Sequence, residues 1–133
     1  MKHVIFLCSV VGLGCGLMLV PPLSAFPEDR GGPNLTAESS AFAQAYVVGN
    51  THAKVMKIGF GDRDWTIERS PEGTILRRTV TVSVGFQSTR DGRCAVDQIP
   101  FEQESTGPNA WAAVRLFSNV EKGAKTISCD ALR

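Results

Sequence analysis

Residues 74–87, Thr-Ile-Leu-Arg-Arg-Thr-Val-Thr-Val-Ser-Val-Gly-Phe-Gln, constrain the fold more than any other stretch. Leu76, Val80, Val82, Val84 and Phe86 fall on one parity, and Thr79, Thr81, Ser83 and Gln87 fall on the other. A period of two is what a strand with one buried face requires, and β-branched side chains suit a pleated surface. The downstream segments must then pair with this strand, and the helical stretch before it must cover its apolar face.

The N-terminus is of a different kind. Met1-Lys2-His3 is a short basic start, Val4–Val20 is almost wholly apolar, and Pro21-Pro22 break the run before Leu23-Ser24-Ala25. These are the parts of a secretory signal peptide spanning residues 1–25, with cleavage after Ala25. An apolar run of about 17 residues is at the short limit for a membrane span, so no stable membrane insertion is expected after cleavage. Lys2 is the only charged residue in this segment, and it accounts for the excess of 14 Lys and Arg over 13 Asp and Glu. The exported part therefore carries no net charge, which argues against nucleic acid or an anionic membrane surface as partner.

Two of the 4 cysteines survive removal of the signal, Cys94 and Cys129. In an exported chain, secreted or periplasmic, such a pair reads as one disulfide closing a loop of about 35 residues, stabilising by roughly 3–4 kcal/mol. No Cys-x-x-Cys is present and no histidine lies near either residue, so a redox or metal-binding pair has no support.

Residues 26–34, rich in Pro, Gly and charge, read as a flexible leader, and residues 35–133 as a single α+β domain. Asn34-Leu35-Thr36 is a glycosylation sequon in form, but helix capping by Asn34 or Thr36 is the expectation. From Ala37 to Ile58 the apolar positions wind at the helical period, with Ala41, Phe42, Ala45, Val48, His52, Val55 and Met56 on one face. Gly49-Asn50 is a weak point in that helix, and Gly59 and Gly61 end it. Trp65–Arg69 reads as a strand, Ser70-Pro71-Glu72-Gly73 as a type I turn, and Asp91-Gly92 as a hairpin turn after the central strand. Cys94–Glu104 runs back, but Cys94 and Val96 share one parity while Ile99 and Phe101 share the other. That change of phase predicts a bulge near Asp97–Gln98. Trp111–Phe117 fits either a strand or a short helix, its place in a run of hairpins favouring a strand, and Thr126–Asp130 reads as a last strand, with turns at Ser105–Asn109 and Lys122-Gly123. The expected fold is one N-terminal helix packed on a four- or five-stranded antiparallel meander, closed by one disulfide.

Chemistry is sparse. The one histidine after the signal, His52, falls on the apolar helix face, where a core role is commoner than a catalytic one. No Gly-x-Ser-x-Gly elbow, His-Glu-x-x-His helix or P-loop is present. Asp62 and Asp64 flank Arg63, which neutralises them, and Glu102 and Glu104 share one strand face as solvated charges. No catalytic residue, metal or cofactor is therefore expected. An enzyme using His52 or Glu102 and Glu104 ranks last. Arg78 shares the parity of Leu76 and Val80, and Arg115 that of Trp111 and Phe117. A guanidinium on a covered face needs a carboxylate, an aromatic ring or a ligand.

Gly31-Gly32-Pro33 before the helix and Pro108-Asn109-Ala110-Trp111 in a late turn, on a helix-then-meander order, resemble the cystatin arrangement. That resemblance implies an inhibitor wedging into a cysteine protease. Thr81-Val82-Ser83-Val84-Gly85 departs from the family's central Gln-x-Val-x-Gly at Gln and Val. The layered order also resembles NTF2-like pockets, which carry more helix. Function is expected to be that of an exported, non-catalytic domain binding another protein or an envelope component. Its contacts would come from the loops Ser88–Arg93, carrying Arg90 and Arg93, and Ser105–Asn109, with an exposed Trp111 as anchor. The alternative is an anion-binding pocket between helix and sheet, with Arg78 or Arg115 facing the ligand. The sequence does not fix an oligomeric state.

Overall fold

The computed structural model describes residues 25–117 and 123–133; residues 1–24 of the expected signal peptide and Lys122 of the expected last turn lie outside the described residues. Among the described residues two helices come first, α1 (Pro33–Ala37) and α2 (Ser39–Gly49). Seven strands follow: β1 (Ala53–Phe60), β2 (Thr66–Arg69), β3 (Ile75–Ser88), β4 (Cys94–Gly107), β5 (Ala110–Trp111), β6 (Arg115–Leu116) and β7 (Lys125–Thr126). A 3₁₀ turn, Cys129–Leu132, closes the chain. All pairings are antiparallel. The path runs β1-β3-β4-β5, with β2 also beside β3 and with β6 and β7 beside β4. The antiparallel sheet with its disulfide holds as expected, but it has seven strands rather than four or five, and two short helices replace the single N-terminal one.

The helix expected to reach Ile58 stops at Gly49, and Asn50 leaves the helical conformation with φ −142° and ψ 74°. Residues Ala53–Phe60 become β1 instead, paired to β3 from Ala53↔Ser88 to Phe60↔Val82. The free edge of a long strand offers a ladder of backbone hydrogen bonds, and Val55 and Ile58 fit a pleat as well as a helix. His52 consequently stands exposed in the turn between α2 and β1, not on a helix face. The expected side-chain cap is also absent. Gly32 is the residue before α1, Pro33 occupies its first turn, and Thr36 Oγ1 bonds back to the Gly32 carbonyl.

The β3–β4 pairing is unbroken from Arg77↔Glu104 to Gln87↔Cys94, so no bulge lies at Asp97–Gln98. The change of phase in β4 has another cause: both faces of the sheet are covered, at different places. Leu35, Phe42 and Tyr46 lie over one face with Val80, Val82, Val84, Ile99, Phe101 and Phe60. Cys94 and Val96 lie on the other face, under Ile127, Leu132 and the half-buried Phe26. Gly85 makes that second cover possible. A Cβ there would sit 2.4 Å from Leu132 Cδ2 and 3.0 Å from the Phe26 ring. The bulges occur elsewhere, in β1 between Val55 and Lys57 and in β2 between Glu68 and Arg69.

Cys94 and Cys129 form the disulfide, with Cα atoms 5.1 Å apart and 35 residues between them in sequence. Such a bond fits an oxidising, non-cytoplasmic compartment. Among the described residues no helix is long and apolar enough to cross a membrane. The 26–34 segment runs beside β1: Arg30 N–H donates to the Phe60 carbonyl, and Asp29 Oδ1 accepts from Phe60 N–H.

Candidate functional site

Arg78 sits on the helix-bearing face of β3, opposite Gln103 and beside Ile67 of β2. Its guanidinium carbon lies 4.3 Å from the centre of the Trp65 ring and 4.4 Å from that of Trp111, so two indoles enclose it. Its Nε donates to Gln103 Oε1 at 2.8 Å, and Gln103 in turn donates to the Ala112 carbonyl. Glu38 completes the set, accepting from Trp65 Nε1 at 3.1 Å and lying 3.6 Å from Arg78 Nη2. The side chain is only 17% exposed, and burial presses its pKa below the usual arginine range against the opposing pull of Glu38 and Asp64. The protein itself thus supplies this guanidinium with a carboxylate, two aromatic faces and a hydrogen-bond acceptor.

Arg115 falls on the opposite face. It pairs with Glu102 across β4 and β6, its Nε 2.9 Å from Glu102 Oε1 and its Nη2 hydrogen-bonded to Glu104. Arg77 reaches Glu102 from the other side and also binds Glu68. Glu102 has a side chain only 3% exposed, so it is the buried centre of this network, not a solvated strand charge. Its hydrogen bond holds Arg115 above the usual arginine range, with Glu104 adding to the effect. The expected parity of Arg115 with Trp111 is broken because Ala112–Val114 separate β5 from β6 and each pairs independently. Trp111 itself is half-buried in the Arg78 stack instead of standing exposed.

Arg90 and Arg93 are exposed in the turn joining β3 to β4. Asp91 Oδ1 accepts from Arg93 N–H, which lowers the Asp91 pKa and shapes the turn around Gly92 at φ +74°. Arg90 borders an open groove of about 380 Å³ with Asn50, Thr51, His52, Phe86 and Ser88. Gly49, the last residue of α2, lines the same groove, so the negative end of the helix dipole opposes an anion there. The Ser88–Arg93 and Ser105–Asn109 loops lie at opposite ends of the 14-residue β4, roughly 45 Å apart by strand rise. They cannot share one compact contact surface.

A different surface emerges between α2 and β1. Val48 is 82% exposed, and Val47 and Met56 are also in water. An open groove of about 510 Å³ runs here, lined by Ala43, Gln44, Val47, Val48, Lys54 and Val55. It was hidden at the sequence level because carrying the helix through Ile58 puts Val48, Val55 and Met56 on its buried face. Trp65, Gln103 and Glu38 were also missed as partners of Arg78. The hairpin at Ser70–Gly73 was the available clue, since it brings the start of β2 alongside residue 78.

Among the described residues no three of His, Cys, Asp and Glu converge where they could hold a metal ion. Comparison of the chain with protein families, curated proteins and solved structures finds no match.

Proposed function

We propose that this is an exported, non-catalytic domain that binds another polypeptide through the surface between α2 and β1. The observation that carries this reading is the groove beside an edge strand that has the water-exposed Val47 and Val48 in its lining. Large apolar side chains gathered beside an unpaired strand mark interaction sites in folded proteins. The pocket alternative loses support because Arg78 and Arg115 already have carboxylate and aromatic partners, leaving little reason for an anion to join them. Export is supported by the sequence of residues 1–25 and by the disulfide.

The test immobilises the exported protein and challenges it with the native extracellular or periplasmic fraction. A partner held by the wild type should be lost on Val48→Glu, which alters an exposed side chain and should leave the melting temperature unchanged. It should remain on Glu72→Lys, an exposed residue in the turn between β2 and β3, at the end of β3 away from β1. Equal capture by wild type and Val48→Glu would remove this surface from consideration.

A further inference from the structure

We propose that β1 receives an extended, acidic segment of its partner as an additional strand. This rests on the polypeptide-binding reading above and names the chemistry of the bound segment. β1 ends the strand order, so the backbone groups it turns away from β3 have no strand partner among the described residues. Thr89 N–H bonds the His52 carbonyl at one end of β1, and Gly61 N–H bonds the Thr81 carbonyl at the other. Counting inward from both ends across the bulge at Met56 turns Val55 and Ile58 outward. Asp29 and Arg30 occupy the edge only at Phe60. Ala53 N–H, also turned outward, is taken by the Asn50 carbonyl, so the edge is open between these two ends, at Val55 and Ile58, beside the apolar groove that would take alternate side chains of an added strand.

Charge selects the occupant. From Ser39 to Gly61 the chain has no Asp or Glu, and its charged side chains there are Lys54 and Lys57, both exposed. Two copies of β1 paired antiparallel about Val55–Met56 would set Lys54 against Lys57, and like charges directly opposite are destabilising. The same lysines that discourage self-pairing favour a strand with carboxylates opposite them.

The test uses synthetic peptides of alternating Val and Glu, matched to the 8 residues of β1. A second peptide replaces Glu with Lys, and a third carries N-methyl groups on alternate backbone amides. The Val-Glu peptide should bind about tenfold or more tightly than the Val-Lys peptide, and should slow hydrogen exchange at the Val55 and Ile58 amides. The double variant Lys54→Glu/Lys57→Glu should reverse that order, and N-methylation should abolish binding. Equal affinities, protection at other strands, or a dimer of the protein protecting the same two amides would each overturn the proposal. If the acidic peptide fails while a native partner is still lost on Val48→Glu, strand addition falls and polypeptide binding stands. If neither probe nor partner binds at this surface, both fall.

Discussion

The guanidinium of Arg78 is flat, delocalised and weakly hydrated, which lets it fill the gap between two indoles where an ammonium would keep its water. The stack continues inward, since the Trp65 ring also lies 5.5 Å from that of Phe42. It joins the start of α2 through Glu38, β2 through Trp65, β4 through Gln103 and β5 through Trp111. Arg78→Ala should therefore cost about 3 kcal/mol, the sum expected of desolvated cation–π contacts and one charge-assisted hydrogen bond. Arg78→Lys should recover less than half of it. The chain's 2 tryptophans are both in the stack, so their fluorescence in a denaturant titration reports this loss directly. Parity in the sequence was enough to place a cation on the covered face of β3. Which groups would meet it depended on the register of β2 and β5, and no local pattern encodes that. Tyr46, the chain's single tyrosine, presents a second case. Its hydroxyl donates to Asp97 Oδ2 at 3.1 Å, and Asp97 Oδ1, also buried, has no hydrogen-bond partner among the described residues. Burial first, then the Asp97 charge and hydrogen bond, raise the Tyr46 pKa far above its ordinary value. The folded state thus holds this proton more tightly than the unfolded chain. The resulting stability is fully present below about pH 10 and is lost as pH rises toward the folded pKa. Unfolding free energy should decline above about pH 10, and the Tyr46→Phe variant, though less stable at neutral pH, should lose that part of the decline.

β4 illustrates how one element can serve two cores. Its odd residues, Ile99 and Phe101, meet the helices, while Cys94 and Val96 meet the C-terminal turn on the reverse side. A bulge was the natural reading of that phase change, because alternation alone does not say whether the second face of a sheet is covered. The true cause lies in Phe26, Ile127 and Leu132, distant in sequence and brought together by the disulfide and by the missing side chain of Gly85. The length and facing of β3 were legible because Val80, Val82 and Val84 alternate without interruption and all are buried. The identity of β1 was not, because Lys-Val-Met-Lys-Ile satisfies either period and only the free edge of β3 decides. The two cores also imply separable stability. Cys94→Ala/Cys129→Ala should cost about 4 kcal/mol by the chain-entropy estimate for a 35-residue separation. Its first effect should be faster hydrogen exchange at residues 125–133, with protection of β3 on the helix side retained. Uniform loss of protection across both faces would show a single cooperative core instead.

At the scale of the whole molecule, residues 26–133 have no net charge but still carry an uneven field. Acidic side chains are absent from Ser39 to Gly61, and Glu102, Glu104 and Glu68 are gathered on the far part of the sheet with Arg77 and Arg115. The two regions should respond differently to salt. In the far network the guanidinium groups are exposed and closely paired, and exposed ion pairs contribute little, so screening them should scarcely move the melting temperature. Lys54 and Lys57 are exposed and the Asp29 carboxylate meets this edge at Phe60, so the field of the lysines acts over a Debye length on whatever approaches the first half of β1. Raising sodium chloride from about 0.01 M to about 0.5 M should then slow association with the native partner by about tenfold, with a much smaller change in dissociation. Stopped-flow mixing and a thermal melt on the same samples separate the two effects. A salt-independent association rate would mean that the apolar groove acts without the lysines, and that the partner's charge plays no part in finding this surface.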